Sequence, residues 1–195
     1  MDRMLGFEPS GVGSIPAGPA KIKMKQKFIN LYMDWAERCA ELSHARRLHV
    51  GAVIVKNDTV ISYGYNGMPA GWDNNCEDQV WDKGAGGWLS PEEIEAKYPY
   101  EDWHEGAQRN VRYGLKTKPE VLHAESNAIA KLAKSNNSGL GADLFVTHSP
   151  CLDCAKLIYQ SGISRVWYGA NYRDDSGIKF LEKSGVEVKQ IKEEK

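Results

Sequence analysis

The chain has 195 residues, of which 42% are hydrophobic and 26% charged, with a formal net charge of −1. That balance excludes a disordered or fibrous polymer and offers no broad cationic field for duplex nucleic acid, so no nucleic-acid partner is expected. Nor is there an apolar run of the roughly 20 residues a membrane span needs, so the chain is expected in the cytoplasm (host cytoplasm if of phage origin).

Residues 1–23 are rich in Gly, Pro and Ser and lack the continuous apolar segment of a signal peptide. They read as a flexible tail, native or left by cloning, with Met24 offering a natural start. Residues 24–195 are then expected to form one domain. Phe28, Leu31, Tyr32, Trp35, Cys39 and Leu42 recur at helical spacing and predict an amphipathic helix from Lys25 to about Ser43. Two β-branched runs, 49–55 and 59–65, flank Asn57-Asp58 and predict an antiparallel hairpin. Residues 67–120 are less regular. They hold Trp72, Trp81, Trp88 and Trp103, with a helix start at Ser90-Pro91, and are expected to form an ordered lid or regulatory insertion. Beyond them helices at 123–134, 151–160 and 175–183 alternate with strands at 143–147, 165–168 and 186–189. The order predicts an α/β domain, a mixed sheet with helices on both faces.

Four cysteines stand in the chain, and two form Cys151-Leu152-Asp153-Cys154 after Pro150. Two thiols three apart at a helix start project from one turn, where the positive helix end favours thiolate. His123-Ala124-Glu125 opens the preceding helix. A catalytic zinc site uses three protein ligands and leaves a fourth position for water, so His123, Cys151 and Cys154 are the candidate ligands of one Zn2+. Glu125 lies roughly 200° around the helix from His123, off the metal but within reach of the water, as a proton shuttle. Alone, either half has a bland reading: His-x-Glu as surface decoration, Cys-x-x-Cys as a redox pair. The combination, with a strand between, is the pattern of zinc deaminases.

Four stretches carry a wider resemblance: 50–55 (VGAVIV), 64–71 (GYNGMPAG), 123–129 (HAESNAI) and 149–156 (SPCLDCAK). They make residues 25–190 similar to the cytidine deaminase superfamily and, within it, to the deoxycytidylate deaminases. The resemblance implies a three-layer α/β/α cytidine-deaminase-like fold around a mixed five-stranded sheet. It also implies conversion of dCMP to dUMP, and a homohexamer. Carried over by position, Asn66 would hydrogen-bond the sugar, Ala124, Ser149 and Pro150 would face the pyrimidine edge, and Tyr172 would line the nucleotide. Arg46 and Arg47, before the first strand, are the phosphate candidates; His49, Arg112 and Arg173 are others. Activation by dCTP and inhibition by dTTP with Mg2+ would act through Gly64, Tyr65, Gly67, Met68, Pro69 and Gly71.

Some phage relatives hold a second, structural zinc. Here Cys76 remains, but Ala45, Tyr113 and Val121 stand where further ligands would be, so a second zinc is not expected. Two other readings stay open: another zinc deaminase of the same fold, acting on nucleosides, riboflavin intermediates or tRNA adenosine, and a zinc-stabilised binding module without catalysis.

Overall fold

A computed structural model describes residues 24–82 and 89–191. The predicted first helix is α1 (Gln26–Ala40), followed by strands β1 (Gly51–Lys56) and β2 (Thr59–Tyr65). Asn57 and Asp58 join the strands with φ of 51° and 58°, both left-handed, the conformation whose twist suits a two-residue hairpin. After the insertion come α3 (Ala124–Ala133), β6 (Asp143–His148), α4 (Leu152–Gln160), β7 (Arg165–Ala170), α5 (Ser176–Lys183) and β8 (Glu187–Gln190). The five strands lie in the order β2-β1-β6-β7-β8. β1 is antiparallel to both neighbours, whereas β6, β7 and β8 run parallel. The predicted mixed five-stranded sheet is therefore present.

Alternation along the strands sends side chains to two separate cores. Val53, Val55, Phe145 and Trp167 meet Ile29, Tyr32, Met33 and Ala36 of α1 on one face. Ile54, Leu144, Val146 and Val166 meet Ala124, Ala128 and Leu132 of α3, Ala155 and Ile158 of α4, and Leu181 of α5 on the other. Phe145 and Ile54 are fully buried, and truncating Phe145 to Ala is expected to cost about 3–5 kcal/mol. At Gly64 strand and helix backbones approach closely: a Cβ would overlap the Ala124 carbonyl oxygen and lie 2.6 Å from the Ala128 nitrogen. That contact lets α3 sit directly on β2 and brings the start of α3 to the end of the hairpin.

The insertion is more regular than expected. It contains β3 (Glu77–Trp81), α2 (Pro91–Lys97), β4 (Tyr100–His104) and β5 (Arg109–Thr117), and its strands form a separate antiparallel sheet in the order β3-β5-β4. Ser90 caps α2 as predicted, with Glu93 N donating to Ser90 Oγ at 3.2 Å and Ser90 N to the Glu93 carboxylate at 2.7 Å. Trp81 packs against His104 and Tyr113 (ring centroids 4.8 and 5.1 Å), while Trp72 and Trp103 are exposed. Trp88 and the tail 1–23 lie outside the described residues. Among the described residues no helix is long and apolar enough to cross a membrane.

Candidate zinc centre and active-site cleft

His123 is the residue immediately before α3 and Cys151 the residue immediately before α4, with Cys154 in the first turn of α4. His148, the last residue of β6, lines the same cleft as His123 and Cys151. His123 Nδ1 lies 3.5 Å from Cys151 Sγ and 3.4 Å from Cys154 Sγ. With Zn–S near 2.3 Å and Zn–N near 2.0–2.1 Å, neighbouring ligands on a tetrahedron stand roughly 3.6 Å apart. Both His–Cys separations thus match edges of a zinc tetrahedron, and the trio's soft and borderline donors are those zinc prefers. Among the described residues it is the one group of three such donors whose ligand atoms all lie within 4.8 Å of one another.

Crowding sets the protonation of these groups. Hydrogen bonding from Cys154, then from His123, holds the Cys151 thiol down at about 4. That neighbour, together with burial, keeps the Cys154 proton on. The hydrogen bond to Cys151 pulls the His123 imidazole up. Cys151 and Cys154 would hold a divalent cation as thiolates, both thiol protons being lost on binding. Glu125, 4% exposed, lies on the same first turn of α3, and burial pushes its carboxyl up to about 7. A carboxylate near neutrality can both take and give a proton.

These groups open into a cleft that gathers residues far apart in the chain. Arg47, Asn66, Glu77, Thr117, His123, Ala124, Glu125, His148, Ser149, Cys151, Tyr172 and Arg173 all line it. Ser149 Oγ accepts from Tyr172 N at 2.7 Å and so ties the loop after β7 to the loop before α4. The Asn66 side chain accepts from Val50 N and donates to Leu48 O, both at 2.8 Å. Its amide keeps one further N–H for a ligand.

Of the predicted site residues, Arg47, Asn66, Ala124, Ser149 and Tyr172 come together here, with Arg173. Arg46 does not. Its guanidinium lies 4.9 Å above the Tyr100 ring and hydrogen-bonds Tyr113, drawn to the aromatic face of the insertion. Pro150 is fully buried and does not line the cleft. Gly64, Tyr65, Gly67, Met68, Pro69 and Gly71 lie outside the lining, although Gly67 exchanges backbone hydrogen bonds with Leu122, next to His123. Glu77, Thr117 and His148 line the cleft without having been singled out in the sequence. His148 is half-buried, which lowers its pKa, and its Nδ1 lies 3.1 Å from Thr147 Oγ1. Cys76 packs with Ala45, Val121 and Met68 in a small apolar cluster, while Tyr113 belongs to the aromatic stack.

Comparison with known proteins agrees with this geometry. Residues 24–170 match the cytidine and deoxycytidylate deaminase zinc-binding region. Deoxycytidylate deaminase of phage T4 is 37% identical over 153 residues, 71% of this chain and 77% of that protein. The human deoxycytidylate deaminase is 32% identical over 155 residues, 74% of this chain and 70% of that protein. The dCMP deaminase of cyanophage S-TIM5, solved with dCMP and dUMP, superposes with a TM-score of 0.65 at 36% identity, covering 86% of this chain and 99% of that one. The chain belongs to the zinc-dependent cytidine and deoxycytidylate deaminase family.

Proposed function

We propose that the chain hydrolyses dCMP to dUMP and ammonia. One observation carries the reading: a buried Glu125, poised near neutrality, sits with the clustered His123–Cys151–Cys154 trio at a cleft that also gathers Asn66, Ser149 and Tyr172. When bound by the trio, zinc supplies a water acidic enough to attack at neutral pH. Glu125 takes a proton from the attacking water and delivers it to ring N3. It then takes the remaining proton from the hydroxyl now on C4 and hands it to the amino group as the C4–N bond breaks and the C4 carbonyl forms. Water and dCMP thereby become dUMP and ammonia.

Substrate placement follows from the lining. Ala124 N–H, in the first turn of α3 where no intrahelical acceptor exists, donates to the ring carbonyl. Ser149 N–H is already spent on Ala170 O at 2.9 Å, so its carbonyl is the group offered to the substrate amine. Asn66 holds the sugar and Tyr172 flanks the nucleotide. Arg47 and Arg173, which both line the cleft, receive the phosphate in place of Arg46.

Regulation belongs to the same reading: dCTP activates and Mg-dTTP inhibits at the 64–71 loop. Gly71 has φ of +87°, and a side chain at Gly67 or Gly71 would meet nothing within 4 Å, which leaves room for a triphosphate to approach. The Gly67 N–H itself is taken by Leu122, so donors must come from elsewhere in the loop. The chain assembles as a homohexamer. In support, β2 is an edge strand that carries exposed Tyr63 and has exposed Trp35 of α1 beside it, surface that a second copy would cover. Ammonia release from dCMP, deoxycytidine and dCTP, measured side by side with and without dTTP, tests the substrate. Turnover of dCMP well above the other two is expected; deoxycytidine as the preferred substrate would overturn it.

A further inference from the structure

Glu77 and Thr117 face each other across the β3–β5 ladder at the edge of the insertion nearest the cleft. Glu77 is a charged residue only 4% exposed, and it plays no part in the chemistry above. Its carboxylate accepts from Arg46 N at 3.0 and 3.2 Å and from Arg47 N at 3.3 Å. Thr117 Oγ1 accepts from Arg47 Nη1 at 3.0 Å. One cross-strand pair therefore grips Arg47 at both ends, backbone and guanidinium. Meanwhile Arg46, held by the same carboxylate, turns its side chain onto Tyr100. A buried carboxylate is costly to leave unpaired, and charge-assisted bonds to two successive amides offset that cost while fixing the loop.

We infer that the Glu77–Thr117 pair is a positioning device for nucleotide recognition. The insertion supplies it, and it aims the Arg47 guanidinium at the 5′-phosphate so that the enzyme selects a nucleotide over a nucleoside. The inference rests on the reading of the chain as a dCMP deaminase. The carboxylate faces the loop amides, so its charge is spent there and not on repelling the phosphate. An arginine on an exposed loop otherwise loses several rotatable bonds of freedom on binding, and holding it in place beforehand removes that cost.

Steady-state kinetics of Glu77→Gln and Thr117→Val, each with Arg47 intact and with Arg47→Ala, test the device. Either single variant is expected to raise KM for dCMP roughly ten-fold, with the loss in KM and not in kcat. The ratio of kcat/KM for dCMP over deoxycytidine should fall by the same factor. In the Arg47→Ala background neither change should lower that ratio further, because the group being positioned is gone. Equal losses on dCMP and deoxycytidine, or losses that add fully to Arg47→Ala, would overturn the inference. Thr117→Val is nearly isosteric and keeps the test available if Glu77→Gln does not fold. Absence of wild-type turnover on dCMP would retire the functional reading itself, an outcome distinct from either.

Discussion

Gly67 and Leu122 exchange both backbone hydrogen bonds, Gly67 N to Leu122 O at 3.1 Å and Leu122 N to Gly67 O at 2.9 Å. The loop that follows β2 is thereby fastened to the residue before His123, and Gly64 at its base rests on the backbone of α3. A ligand that shifts the loop must shift the start of the catalytic helix. Mg-dTTP is expected to weaken dCMP binding by about 5- to 150-fold, and dCMP to weaken dTTP binding by the same factor. Calorimetric titration of dTTP with and without a slow dCMP analogue measures both. Competition at the zinc centre, or no binding, would remove regulation from the account and leave the deaminase standing.

Gly177 at the start of α5 has no room for a side chain. A Cβ there would overlap the Pro150 carbonyl oxygen and lie 2.9 Å from the Cys151 carbonyl carbon and oxygen. Gly177→Ala must push the ligand-bearing turn, and we expect zinc affinity to fall roughly ten-fold or more in chelator competition. Gly51→Ala is the matched control. It would overlap the Ala36 carbonyl and lie 2.5 Å from the Ala40 nitrogen, burdening α1 away from the metal donors. Equal losses of zinc affinity in the two variants would show only a general weakening of the fold.

The burial of Glu125 also sets a pH signature for the metal-free protein. Its folded-state carboxyl titrates near 7 against an ordinary 4.5, so the folded state holds a proton that the unfolded chain releases. Stability linked to this group is fully present below about 4.5 and is lost as pH rises through about 7, by an amount of order 3 kcal/mol. Urea unfolding of metal-free wild type and Glu125→Gln between pH 5 and 8 should show the variant gaining relative stability as pH rises. A gap that does not change with pH would mean the carboxyl ionises as it does in the unfolded chain.

The parts of the fold that were legible in the sequence are those whose signals are local. Helix α1 was legible from its apolar spacing, although Leu31, Trp35 and Leu42 of the predicted stripe are exposed and Ile29, Met33 and Ala36 join Tyr32 on the buried face; the hairpin was legible from Asn57-Asp58 between β-branched runs. The zinc trio was legible because its ligands fall in two short motifs. The three strands of the insertion were not, because β4 (YEDWH) buries little on either face and β3 finds its partner β5 across α2 and β4. Without a buried face there is no alternation to read. Glu77 and Thr117 escaped for the same reason: neither belongs to a motif, and only long-range pairing brings them to the cleft. Arg46 and Arg47 were indistinguishable as neighbours in sequence. Their opposite directions depend on Tyr100 and Thr117, 54 and 70 residues away, respectively.

The central claim is that Glu125 moves protons for a zinc centre built by His123, Cys151 and Cys154. Ammonia release from dCMP by wild type and Glu125→Gln, each with its zinc content determined, tests it most directly. Both proteins are expected to carry about one zinc per chain, and turnover in the variant is expected to be lower by at least the 10²–10⁴-fold typical of general acid–base groups. A Glu125→Gln protein that keeps its zinc and turns over dCMP at near the wild-type rate would contradict it.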